Sequence, residues 1–173
     1  MGIPAGFALD FREFGTRLCP PLKSATKSRS TGIFIGMDGE LVWKGNMLFE
    51  GACDITGHKV LFDAHPHSGG NDVAATPMEH LLLAVAACTA IDVITILRKM
   101  KQELTAYRIE IHGERHPEHP RRFTEVTITH YLQGNNLDPK AVEKAVKLSD
   151  EKYCSASATL RLPTEVRSEF VIE

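Results

Sequence analysis

The sequence predicts an α+β fold: antiparallel strands packed on a long central helix and a second helix. Three observations predict it. Short apolar pieces separated by Gly and Asn turn signals fill residues 37–64. A long apolar stretch with a marked start follows. Beyond it, two segments alternate apolar and polar residues and lead into a second helical pattern. Strands and helices that do not alternate regularly argue for α+β, not for a parallel α/β sheet.

The chain has 173 residues, of which 43% are hydrophobic and 24% charged, with a net charge of −2. These values fit a soluble globular domain with one core. The charge offers no field for nucleic acid or an anionic membrane. The first 36 residues differ from the rest. Residues 16–32 hold Pro-Pro, scattered Lys and Arg, several Ser and Thr and no acid. Without periodicity they read as a flexible arm, leaving 37–173 as the folded domain. The arm resembles a transit peptide in its basic residues, but Asp10 and Glu13 count against one, and no secretory signal is evident.

The first strands come from MDGELVWKGNMLFEGACDITGHKVLFDA, with turns at Asp38-Gly39, Lys44-Gly45-Asn46 and Thr56-Gly57. A polar loop, AHPHSGGNDVAAT, leads to the long helix at about 77–100. Thr76 suits the N-cap, Pro77 the first helical position and Glu79 the third, and Arg98 and Lys99 suit the C-terminal end. Its longest apolar run, 81–91, has 11 residues, short of the roughly 20 that cross a bilayer. It therefore reads as a core helix, buried on nearly every side. AYRIEIHGERH and RFTEVTITHYLQG alternate and form a strand pair around a loop at 116–121. Asp138-Pro139 opens a second helix over about 139–152, with Ala141, Val142, Ala145, Val146 and Leu148 on one face. SASATLRL and SEFVIE read as closing strands, giving the order βββ-α-ββ-α-ββ.

Four cysteines are present: Cys19, Cys53, Cys88 and Cys154. No CxxC occurs, so neither a zinc ribbon nor a thioredoxin motif is supported. A domain of this size needs no disulfide scaffold, which points to reduced thiols and a cytoplasmic setting. Cys53 reads as core and Cys19 as part of the arm. Cys88 lies mid-helix among Ala86, Ala87, Thr89 and Ala90, and Cys154 lies at a helix-to-strand junction that favours access. Free cysteine often only packs. Taken together, the two form a candidate pair: one thiolate attacks a peroxide, and the second thiol condenses with the resulting sulfenic acid.

The segments PMEHLLLAVAACTAIDVITILRKM and AVKLSDEKYCSASATL together resemble the OsmC/Ohr family, the osmotically inducible and organic-hydroperoxide-resistance proteins. The resemblance covers about 38–173. It implies an intertwined α+β homodimer with active sites at the subunit interface. It also implies thiol-dependent reduction of organic hydroperoxides by Cys88 as the attacking and Cys154 as the resolving cysteine. No bound cofactor is expected, only an external dithiol reductant such as a lipoylated protein. Two positions depart from the family's peroxidases. Met78 stands where they carry a Glu after the Pro, and the first strands hold Lys44 and Lys59 where they place an Arg. Glu79 is a poor substitute, being nine residues before Cys88 and about half a turn out of phase. Arg121 or Arg122 remains as a source of guanidinium.

Asp92 follows Cys88 by four residues and shares its helix face. A carboxylate there raises the thiol pKa, and burying it calls for a partner. No metal site is expected from the histidines: His65 and His67 share a loop, and His58, His80, His112, His116 and His119 show no convergent spacing. The alternative reading is a dimeric binding or structural stress protein, with Cys88 as a wall residue and Asp92 as a polar anchor.

Overall fold

The computed structural model describes residues 36–161. All of the predicted arm but Gly36, and the strand expected in SEFVIE, lie outside the described residues. The first three strands are β1 (Gly39–Gly45), β2 (Leu48–Cys53) and β3 (Lys59–Phe62), an antiparallel meander in that order. The β1–β2 turn is the one the sequence marks. Gly45 and Asn46 take positive φ values of 107° and 49°, where glycine and asparagine cost least. The Asn46 amide then donates to Gly69 O at 2.7 Å, fastening the hairpin to the loop after β3.

That loop is organised by Asp63, which is only 2% exposed. Its carboxylate accepts backbone N–H groups from Ala64 at 2.8 Å, Val73 at 3.1 Å and Asn71 at 3.2 Å. Gly70 is required where the loop doubles back, since a Cβ there would lie 1.8 Å from Ala64 O. The loop delivers Thr76 to the start of helix α1 (Pro77–Lys99). The predicted capping box is formed: Glu79 N–H donates to Thr76 Oγ1 at 3.4 Å, and Thr76 N–H donates to Glu79 Oε2 at 2.7 Å. Strands β4 (Glu103–Arg115) and β5 (Phe123–Asn135) form one long antiparallel hairpin. Helix α2 (Pro139–Leu148) starts from Asp138, whose side chain accepts Lys140 N–H at 3.0 Å.

The core lies between α1, α2 and the β4–β5 hairpin. Val93, Leu97, Ala141 and Ala145 are buried together, with Ile96, Met100, Leu104, Tyr107 and Leu132 packed around them. On α1 the buried residues are Val85, Thr89, Val93 and Leu97, a stripe at four-residue spacing.

Four expectations are corrected. Residues from Ser155 onward form helix α3 (Ser155–Arg161), not a strand. Alternating Ser and Ala mimics period-2 patterning without offering the bulk a sheet face buries, and Ala, Leu and Arg favour helix. The second helix gives way after Leu148 to a π turn over Ser149–Tyr153, closed by Cys154 N–H donating to Ser149 O at 2.9 Å. Cys53 ends β2 exposed to solvent. Finally, α1 is not covered on every side. Leu83 is 56% and Ile91 65% exposed, and the helix is long and apolar enough to cross a bilayer by composition.

Two outcomes test these packing and loop assignments. Leu97→Ala, at a site with no exposure, is expected to cost roughly 2–5 kcal/mol in a urea denaturation series. The Val73 N–H, then those of Ala64 and Asn71, hold the Asp63 carboxyl below its usual value against the opposing effect of burial. Its stabilising contribution is complete above the unfolded-state value of about 3.9 and is lost as pH falls through the lower native value. Asp63→Asn should therefore lower the neutral-pH melting temperature and flatten the acid limb of stability against pH.

Candidate active site

Helix α1 presents Cys88 half-buried on the flank of its buried stripe. The π turn and the first turn of α3 bring Cys154 to it from the other side. The sulfurs of Cys88 and Cys154 and a carboxylate oxygen of Asp92 all lie within 4.8 Å of one another. The sequence offers Cys88 and Cys154 as a pair, and the fold places their sulfurs within 4.8 Å of each other. Their exposures reverse the expectation, because Cys154 is 3% exposed and Cys88 is the more accessible thiol. Helix α3 is the reason. A strand would have opened the junction, whereas α3 folds its first turn over the sulfur, and Ser157 N–H donates to Cys154 Sγ at 3.4 Å.

Asp92 has the partner its burial demanded. Ser149 Oγ–H donates to Asp92 Oδ2 at 3.2 Å, and Ser149 Oγ also meets Thr89 Oγ1 at 2.9 Å. Ser149 is fully buried and Thr89 nearly so. This chain of hydroxyls joins α1 to the π turn one helical turn from Cys88. Neither hydroxyl stood out in sequence. Thr89 reads as a small neighbour of the thiol and Ser149 as a residue within the second helix.

The Cys88 thiol pKa is pushed upward. Burial is the largest cause, and the nearby Cys154 and the Asp92 charge act in the same direction. A hydrogen bond from the Ala156 backbone N–H to the Cys88 sulfur opposes them. Glu79 plays no part here. The Thr76 hydroxyl and N–H hold its carboxylate below the usual range at the cap. Lys44 and Lys59 are likewise engaged elsewhere, pairing with Glu50 at 3.8 Å and 2.8 Å on the first sheet.

An open cleft of about 970 Å³ runs between α1, β5, α2 and α3, lined by Thr89, next to Cys88 in sequence, and by Ser157, whose N–H meets Cys154 Sγ. Met78, Val85 and Thr89 form its α1 wall, and Arg122 and His130 line it from β5 and the segment before it. Arg122 brings a guanidinium to this cleft, its Nη1 donating to Phe123 O at 3.3 Å, but no arginine is among the influences on the Cys88 thiol. Arg161 also lines it, and its guanidinium is paired with Asp150. Below the cleft, His130 Nδ1 meets the Tyr107 hydroxyl at 2.6 Å; burial pushes Tyr107 up to about 12 and His130 down. Among the described residues the histidines form no group of three convergent ligands.

Residues 69–169 match the family of OsmC-like proteins. The chain belongs to that family. The protein YhfA of Escherichia coli K12 is 33% identical over 136 residues, which cover 79% of this chain and 98% of YhfA. A solved structure of a hypothetical protein from Aquifex aeolicus superposes with a TM-score of 0.63 at 31% identity, covering 73% of this chain and 87% of that one. An organic hydroperoxide resistance protein from Legionella pneumophila superposes at 0.58 with 16% identity, over 75% and 92% of the two chains. That last likeness shows the shared OsmC-like α+β fold.

The raised Cys88 pKa predicts slow reaction with iodoacetamide at neutral pH, with a rate still rising past the ordinary thiol value of about 8.5. Asp92→Asn removes one of the charges that raise it and should speed alkylation of Cys88 at pH 7. Peptide mass analysis of timed samples reads both effects, and an early plateau in the pH profile would contradict them.

Proposed function

We propose that this OsmC-like protein reduces organic hydroperoxides through Cys88 and Cys154, in the stress-related redox role that the names of its structural neighbours indicate. The observation that carries the reading is the convergence of two reduced thiols from distant segments, one half-buried and one nearly sealed. In the first step the Cys88 thiolate attacks the O–O bond of ROOH. Sulfur takes one oxygen as sulfenic acid, and RO⁻ leaves and takes a proton to become the alcohol. The Cys154 thiol then attacks the sulfenic sulfur, forming the disulfide and releasing water. An external dithiol returns the pair to two thiols and is itself oxidised. A lipoylated protein is a fitting donor, because its dithiol forms a stable cyclic disulfide.

The cleft beside Thr89, with Leu81, Val85 and Leu160 in its walls, suits the apolar tail of such a substrate. A homodimer fits the apolar surface left uncovered by one chain: Leu83 and Ile91 on α1, and Leu41 and Trp43 on β1. Reduced thiols and this chemistry together fit the cytoplasm. The second reading, a small-ligand-binding protein with little peroxidase activity, is favoured by one specific feature. Met78 lines the cleft where peroxidases of the family carry a glutamate.

The test is consumption of cumene hydroperoxide with reduced dihydrolipoamide. Wild type should turn over, and Cys88→Ser should fall to the uncatalysed rate. Cys154→Ser should consume one equivalent and stop, its Cys88 sulfenic acid trapped by dimedone. After one equivalent of peroxide without reductant, the wild type should hold a Cys88–Cys154 disulfide. Turnover unchanged in Cys88→Ser, or a disulfide through Cys53, defeats the proposal.

A further inference from the structure

The two thiols have a third companion that the peroxide chemistry does not use. Asp92 lies within 4.8 Å of both sulfurs, not of Cys88 alone. Its position is fixed by the Ser149 hydroxyl, which is itself held by Thr89. A hydroxyl of this kind occupies one of the carboxylate's several lone-pair sites and leaves others for a cation. The sulfurs are oriented as well: Cys154 Sγ accepts Ser157 N–H at 3.4 Å, and Cys88 accepts the Ala156 N–H. Supporting hydrogen bonds of this sort fix the direction of ligands around a metal.

We propose that, in the reduced protein, Cys88, Cys154 and Asp92 bind a thiophilic divalent cation of the Zn²⁺ or Cd²⁺ class. Two thiolates and one carboxylate place three negative charges together, and a divalent ion offsets two of them. Sulfur donors select soft ions over Ca²⁺ and Mg²⁺, which require oxygen ligands. Zinc with sulfur ligands at about 2.3 Å holds two of them under 4 Å apart, so small side-chain adjustments close the observed triangle. Three protein ligands leave a fourth position for water or another donor. Cys88 and Asp92 are only partly buried, which gives an ion a path from solvent. Binding releases both thiol protons to solvent and excludes the disulfide, so the metal-loaded and oxidised states are alternatives. The inference concerns the reduced thiols and stands apart from the hydroperoxide reading.

The experiment uses full-length chain carrying Cys19→Ser and Cys53→Ser, reduced and freed of reductant. Cd²⁺ is titrated while the thiolate-to-metal charge-transfer band is followed in the ultraviolet, and Zn²⁺ affinity is read by competition with a chromophoric chelator. One Cd²⁺ per chain is expected, with the band abolished when Cys88 and Cys154 are first oxidised to the disulfide by diamide. Asp92→Asn, nearly isosteric, should weaken Zn²⁺ binding by about tenfold or more, and Ser149→Ala by about tenfold through loss of the carboxylate's support. Circular dichroism checks that each variant is folded, and either folded variant suffices for the comparison. No charge-transfer band, or Zn²⁺ affinity unchanged in the folded variants, overturns the proposal. Because no peroxide is present, a protein that binds metal but fails to consume hydroperoxide separates the two readings.

Discussion

The short hydroxyl chain Thr89–Ser149–Asp92 is the constraint on which the site depends. It is the polar contact that joins the middle of α1 to the π turn beyond α2. Apolar packing at Val93, Leu97, Ala141 and Ala145 holds the two helices side by side. Such packing tolerates sliding and rotation more readily than a hydrogen bond does, because dispersion and burial are non-directional. A buried hydroxyl that must meet both a threonine and a carboxylate fixes the angular setting. With that setting fixed, the thiol five residues after Ser149 comes to the thiol one residue before Thr89.

The same contact explains a tension in the site. Asp92 opposes ionisation of Cys88, as does burial, and only the Ala156 N–H among the stated influences favours it. A site shaped solely for rapid thiolate attack would replace that carboxylate with a cation. A carboxylate within 4.8 Å of both sulfurs suits a group that must also hold the π turn or meet a positive ion. No lysine is among the influences on the thiol, and Lys44 and Lys59 both pair with Glu50 on the first sheet.

Much of this arrangement was legible in the sequence. The meander, the capping box at Thr76 and Glu79 and the long hairpin each carried local signals: turn residues, cap residues and alternation. The thiol pair was legible through two separated motifs, and the phase of Asp92 followed from helical spacing. What could not be read was anything set by packing between elements. Ser149 is an ordinary residue of the expected second helix until α1 lies against it. The Ser-Ala alternation after Cys154 looked like a strand because small residues carry little information about which face is buried. Leu83 and Ile91 looked internal because apolar character does not say whether the same chain does the covering.

The π turn over Ser149–Tyr153 acts as a phase adjuster. In an uninterrupted α-helix, residues five apart lie about 140° apart around the axis. Bonding residue 154 back to residue 149 reduces that angle. The hydroxyl that grips Asp92 and the sulfur that approaches Cys88 can then face α1 together. The angular error of a whole residue is absorbed in one loosened coil, so a single peptide unit of extra chain separates two facing sulfurs from two that look past each other.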